Sequence, residues 1–244
     1  MKKVFFALIF GLLANDCAFA QDNLKQYEEE CLAIIEKPKI RLMSSYGKLR
    51  YNYEKDSAFL RKETEKMYKE QGLELPEEFE PMGLTRIRDG FEVKMEVGTV
   101  GVSHGYQCIY PESIDVFVGY YFPVVYIAKE LAKGSCMYDL TLRHEQVHVR
   151  IFVEALDYFL PKFKKIVNGA RDKLGVKIVE RNVDAKLVAE EYNDMYIKYF
   201  EKIVNKWRKA VSAEQMKLDS VENYILEAKI CEEEEEESNL EEEW

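Results

Sequence analysis

Residues 140–150, LTLRHEQVHVR, hold two of the three histidines of the chain, four residues apart, with a glutamate beside the first. At roughly 100° per residue on a helix, His144 and His148 project from one face about one turn apart, a spacing that lets two imidazoles share one divalent ion. Glu145 is rotated by one residue to the flank, where it can take a proton from water without being a ligand itself. That pattern calls for Zn2+, whose Lewis acidity brings the pKa of a water to about 7. The bland alternative is two core histidines and a surface glutamate in chance register. Histidine is scarce here, the pair sits on an otherwise apolar helix, and burying an unbonded imidazole costs about 1–3 kcal/mol. These points favour the metal.

The elements that must carry these residues follow from periodicity. Ser135 can cap a helix with Asp139 in its first turn, and the pattern runs helical to about Val167, before Asn168-Gly169. Apolar side chains leave that helix only a narrow polar strip, including Arg143, Arg150, Glu154 and Asp157, so it is expected to be buried. Between Gly83 and Ala128 the runs TRIRDG, FEVKMEVG, YQCIY, IDVFVGY and PVVYIA predict an antiparallel or mixed sheet of four to six strands. Before it come a helix over 24–36, a hairpin centred on Tyr46-Gly47, and a charged helix capped by Asp56 or Ser57 that ends near Gln71. After it come a long helix over Val176–Val211 and a short one over Val221–Ala228. The expected class is α+β, with the histidine helix buried and a long helix running antiparallel to it.

A third ligand is harder to name. Glu154 lies ten residues after His144, where enzymes with an intervening glycine turn place a third histidine, but Ile151 occupies the glycine position. On a continuous helix Glu154 stands about 15 Å along the axis and roughly 80° round from His144, too far to share an ion. If the two long helices pack antiparallel, residues 184–194 return alongside the histidines, which selects Glu191 first and Asp184 second. His104, in VSHGY, reads as a turn residue that could add a ligand or a transition-state donor. With sixteen tyrosines in the chain, no single one can be chosen as such a donor.

Residues 1–20 read as a secretory signal: Lys2 and Lys3, an apolar run from Val4 to Ala14, then Ala18-Phe19-Ala20 before Gln21. The run is too short to span a bilayer, and Asn15-Asp16 does not suit lipid attachment at Cys17. A periplasmic or secreted location without a membrane anchor follows as an expectation. The chain carries a net charge of −10, and nine of its negatives are glutamates after Cys231, so residues 232–244 read as a disordered acidic tail. The remainder is near neutral, which argues against a nucleic-acid surface. Cys31, Cys108, Cys136 and Cys231 allow three disulfide pairings, of which Cys108 with Cys136 and Cys31 with Cys231 is the expected one.

The run CIYPESIDVFVGY, the strand PVVYIAKEL, Cys136 and then LRHEQVHVRIF resemble the zincin metallopeptidases, with weaker likeness over LDSVENYILEAKIC. More narrowly, the chain is similar to exported bacterial proteins described only as candidate zinc-dependent proteases. The resemblance implies a zincin-like domain over 21–231, His144 and His148 as zinc ligands, and Glu145 as the catalytic base. It departs from the metzincin pattern at Ile151 and lacks the nearby glutamate helix of thermolysin-like enzymes. The expected function is an exported metallopeptidase acting on a peptide or protein. An extended substrate would be held along the strand before the histidine helix by β-augmentation. The alternative is a non-catalytic secreted binding or envelope-assembly protein on a zincin-like scaffold.

Overall fold

A computed structural model of the chain describes residues 24–232, apart from 71, 78, 172, 174, 221 and 228. The segment 1–20 expected to be a secretory signal and the expected acidic tail beyond Glu232 lie outside the described residues. Helix α1 covers 24–34, ending before Pro38 as expected. It is followed by β1 (Lys39–Ser45), β2 (Arg50–Asn52), α2 (Ser57–Glu70), β3 (Gly83–Gly101), β4 (Tyr106–Ile127), α3 (Cys136–Arg171), β5 (Lys177–Glu180) and α4 (Ala185–Leu218). Helix α5 spans 222–232, residue 228 excepted. The class is α+β.

The five strands form one mixed sheet in which β4 pairs with each of the others. β2 runs parallel to β4, with Arg50 opposite Val124, and β5 runs antiparallel, with Tyr106 opposite Glu180. The hairpin expected around Tyr46-Gly47 does not form. Arg41 bonds Asp115 in two places across a separation of 74 residues, and the same offset relates the Ser45 backbone to the close-lying Gly119 and Arg50 to Val124. β1 and β2 therefore follow β4 in one register instead of turning back on each other. Gly47 adopts a positive φ of 72° between them, where a Cβ would meet the Pro123 ring and the Tyr120 carbonyl oxygen, and Phe122 itself takes φ 51°.

The five strand-like runs of the sequence condense into only two strands, of 19 and 22 residues. Gly90 and Gly98 read as breaks, yet they sit within β3. The rings of Tyr121 and Tyr110 fill the space a Cβ would take there, so these glycines make room for facing aromatics. The helix predicted from Val176 starts later, because 177–180 joins the sheet and Asp184 Oδ1 accepts the Lys186 N–H at 2.9 Å, capping α4 at Ala185. Helix α3 in turn runs past the expected end, through Pro161 to Arg171.

Two compact units divide the chain. The first comprises the described part of Met1–Met43 with Glu92–Val116 and Lys164–Glu201. Its cores are Tyr27, Cys31, Val102 and Cys108 in one cluster, and Ile109, Val188 and Tyr192 in another. The second comprises Ser44–Phe91, Phe117–Phe163 and the described part of Lys202–Trp244. Leu60, Leu84 and Ala128 form one buried cluster in it. Trp207 Nε1–H donates to the Tyr120 hydroxyl at 3.1 Å while its ring meets Phe163 edge-on. Each fully buried large apolar side chain contributes about 1.5–3 kcal/mol.

The cysteines pair differently from the expectation. Cys31 bonds Cys108, and Cys136 bonds Cys231. Cysteine count leaves pairing open, and packing decides it: α1 lays Cys31 onto the start of β4, within the first unit's core. The second bond joins the first residue of α3 to the last turn of α5. Among the described residues no helix is long and apolar enough to cross a membrane.

Candidate metal centre

The site lies within the second unit, on α3, the end of α4 and α5. Ser135 caps α3 as the sequence implies, its Oγ accepting the Tyr138 N–H at 3.2 Å. Two turns on, His144, Glu145 and His148 are 6%, 5% and 8% exposed. Their ligand atoms all lie within 4.8 Å of one another, and the group could bind a metal ion.

The hydrogen-bond partners behind the two rings fix which ring nitrogen faces inward. Gln215 donates its amide N–H to the His148 carbonyl at 3.1 Å, which orients the amide and leaves Gln215 Oε1 to accept from His148 Nδ1. His144 Nδ1 donates to Glu227 Oε2 at 2.9 Å. Glu227 is held in turn by the Asn223 amide, 3.2 Å from its Oε1. Both rings thus carry their proton on Nδ1 when neutral and present Nε2 as a free lone pair.

Those two Nε2 atoms are 3.1 Å apart. Asp219 Oδ1 completes a triangle with them, 3.2 Å from His144 Nε2 and 3.0 Å from His148 Nε2. Three lone-pair donors facing one point repel unless a positive charge lies between them. For an ion with bonds of about 2.0–2.1 Å, tetrahedral ligand atoms stand about 3.3–3.4 Å apart. The triangle is within a few tenths of an ångström of that spacing, so the residues fit a small divalent cation.

Without a metal, protons take that role. Burial pulls the His148 imidazolium down, but the hydrogen bond to Asp219 and the charges of Glu145 and Asp219 outweigh it and lift the ring to about 9. His144 is raised as well, burial being overcome chiefly by Asp219. Burial alone would raise Asp219, but its bonds to both rings hold it well below the usual carboxylate range. Glu145 moves the other way: burial raises it, against the charge of His148 and a hydrogen bond from Thr85.

Tyr224, on α5, stacks on the His144 ring with centroids 5.2 Å apart and donates to Asp219 Oδ1 at 3.2 Å. Phe79 packs edge-on against Tyr224. The loop bearing Phe79 is tied to α2 by Arg61, which donates to the Phe79 and Pro76 carbonyls.

The other acids considered from the sequence are not in this cluster. Glu191 pairs with Lys177 on the surface of the first unit, and Asp184 caps α4 there. Glu154 is exposed on α3. His104 has φ 59° in the turn before β4 and packs on Tyr27, in the first unit. Helix antiparallelism was the wrong guide, because α4 starts nine residues later than expected and its first half belongs to the other unit. The carboxylate that lies beside the two rings is instead that of Asp219, immediately past Leu218 at the end of α4. The only sequence signal for it is the polar series Asp219, Tyr224 and Glu227 in LDSVENYILEAK, just before Cys231.

The strand that precedes α3 also differs from expectation. β2 pairs with Val124–Tyr126, and the Ala128 N–H donates to Met82 O at 2.8 Å. The main chain there is already engaged and does not offer an edge to an extended substrate. Comparisons with family models, with curated proteins and with solved structures find no match.

Proposed function

We propose that the chain is an exported zinc-dependent hydrolase of zincin-like design, acting on peptide bonds of a peptide or protein substrate. The observation that carries this reading is the triangle of His144 Nε2, His148 Nε2 and Asp219 Oδ1, with edges of 3.1, 3.2 and 3.0 Å, beside a buried glutamate. Two imidazoles and one carboxylate suit zinc better than magnesium or calcium, which favour oxygen-only sets. Three protein ligands also match the count of a catalytic zinc site, which leaves a position open, rather than the four of a structural one.

His144, His148 and Asp219 would hold the ion, and Glu227 and Gln215 would fix the two rings and their tautomers. Zinc supplies Lewis acidity there, polarising a carbonyl and lowering the pKa of water to about 7. Glu145 takes a proton from the attacking water at its carboxylate and passes it to the departing amine nitrogen. Its burial raises its pKa toward the range in which a group can both accept and release a proton. Tyr224 orients Asp219 through its hydroxyl. The secretory character of residues 1–20 and the two disulfides support export to the periplasm or beyond.

Glu145→Gln tests the reading. It keeps the size of the side chain and removes its basicity, so hydrolysis of a mixed peptide library, read by mass spectrometry, should fall about 10²–10⁴-fold while zinc content stays at the wild-type level. A wild-type protein that binds zinc and cleaves nothing in the library contradicts the assignment.

A further inference from the structure

We infer that Thr85 is a positioning residue that keeps Glu145 out of the ligand set and available to the reaction, a role that rests on the hydrolytic reading above. Gly83 and Thr85 are two residues apart on β3 and therefore face the same side of the strand, here toward α3. The Thr85 hydroxyl lies 2.6 Å from Glu145 Oε2 and 3.0 Å from the Glu145 carbonyl oxygen. Both of those atoms are acceptors when the carboxylate is ionised. The single hydroxyl proton thus ties the side chain of Glu145 back toward its own main chain.

Gly83 closes the other side. A Cβ there would stand 2.5 Å from Glu145 Oε1 and 2.8 Å from Thr141 Cγ2, so only glycine leaves the carboxylate room. β3 therefore sets the place of both carboxylate oxygens.

The need for such a tether follows from the site. Glu145 lies in the same buried group as the two imidazoles, with ligand atoms within 4.8 Å. An untethered carboxylate at that distance is free to turn toward the cation that His144, His148 and Asp219 enclose. It would then compete as a fourth ligand, occupying the place where substrate and water must enter. With Oε2 engaged by Thr85, Glu145 stays beside the reaction rather than in it.

Thr85→Val keeps the shape of the side chain and removes the hydroxyl, and Thr85→Ser keeps the hydroxyl. The Thr85→Val protein should lose at least tenfold in kcat with KM within twofold, and Thr85→Ser should restore kcat. A second readout needs no turnover. The visible absorption of the Co2+-substituted protein should change in Thr85→Val, as the carboxylate enters the ligand set, and remain wild-type in Thr85→Ser. Combined with Glu145→Gln, Thr85→Val should add no further spectral change. Thr85→Ala serves in place of the valine variant if that one does not fold, as judged by circular dichroism. Wild-type kcat and an unchanged Co2+ spectrum in the hydroxyl-free variant, with an active wild type, would overturn the role of Thr85 alone. A wild type that binds no Co2+ and hydrolyses nothing would overturn the hydrolytic reading, and this role with it.

Discussion

Asp219→Asn separates the proposed ligand from every other acid in the chain. The substitution preserves an oxygen at nearly the same place but removes the charge that sits 3.0 Å from His148 Nε2 and 3.2 Å from His144 Nε2. Glu227→Gln provides the comparison, since Glu227 meets His144 at its outer nitrogen, Nδ1, at 2.9 Å and not at Nε2. Loss of an outer partner of this kind typically weakens metal binding about 10–100-fold. Loss of a direct anionic ligand must exceed that, so Asp219→Asn should weaken zinc binding more than about 100-fold, or about 2.8 kcal/mol. Glu191→Gln and Asp184→Asn act on the other unit and should leave affinity within about twofold, since neither touches the cluster. Competition against a chromophoric chelator at fixed pH measures all four. The reasoning is refuted if Asp219→Asn binds zinc within about threefold of wild type, or if Glu191→Gln costs as much as Asp219→Asn.

Three further outcomes follow from the same geometry. Gly83→Ala forces a methyl group to within 2.5 Å of Glu145 Oε1, so urea unfolding should show a loss of about 1–3 kcal/mol; unchanged stability would mean the strand yields there freely. In the metal-free protein His148 keeps its proton up to about 9, and zinc must displace it. Apparent affinity should therefore rise about tenfold per pH unit for each proton released between pH 7 and 9, and a flat profile would contradict the assignment. The same raised pKa favours the metal-free fold fully below the ordinary histidine value of about 6.5, and that contribution is lost as pH rises through about 9.

The parts of the site that share one helix were legible in the sequence, because helical spacing alone puts His144 and His148 on one face and Ser135 at the cap. So were α1, the start of α2 at Asp56 or Ser57, of which Asp56 is the cap, its Oδ1 accepting the Phe59 N–H at 3.0 Å, and the mixed α+β order. What depended on distant segments was not. Asp219 lies 71 residues beyond His148, and local periodicity carries no information on which distant segment returns. Strand boundaries misled for the same reason, although the five-stranded mixed sheet falls within the four to six strands expected. Gly90 and Gly98 look like breaks until the tyrosines opposite them are known, and KIVE looks like the start of a helix until Tyr106–Ile109 is found beside it. Disulfide pairing failed because four cysteines do not say which surfaces meet. Thr85 was invisible as a partner of Glu145, since a threonine in a strand is ordinary and its neighbour is 60 residues away.

Metal analysis of the purified protein, wild type beside His148→Ala, tests the central claim most directly. One equivalent of zinc per wild-type chain, and almost none in a variant whose circular dichroism is unchanged, is the expected result. A wild-type chain that cannot be loaded with zinc, or a folded His148→Ala protein that keeps a full equivalent, would contradict the account.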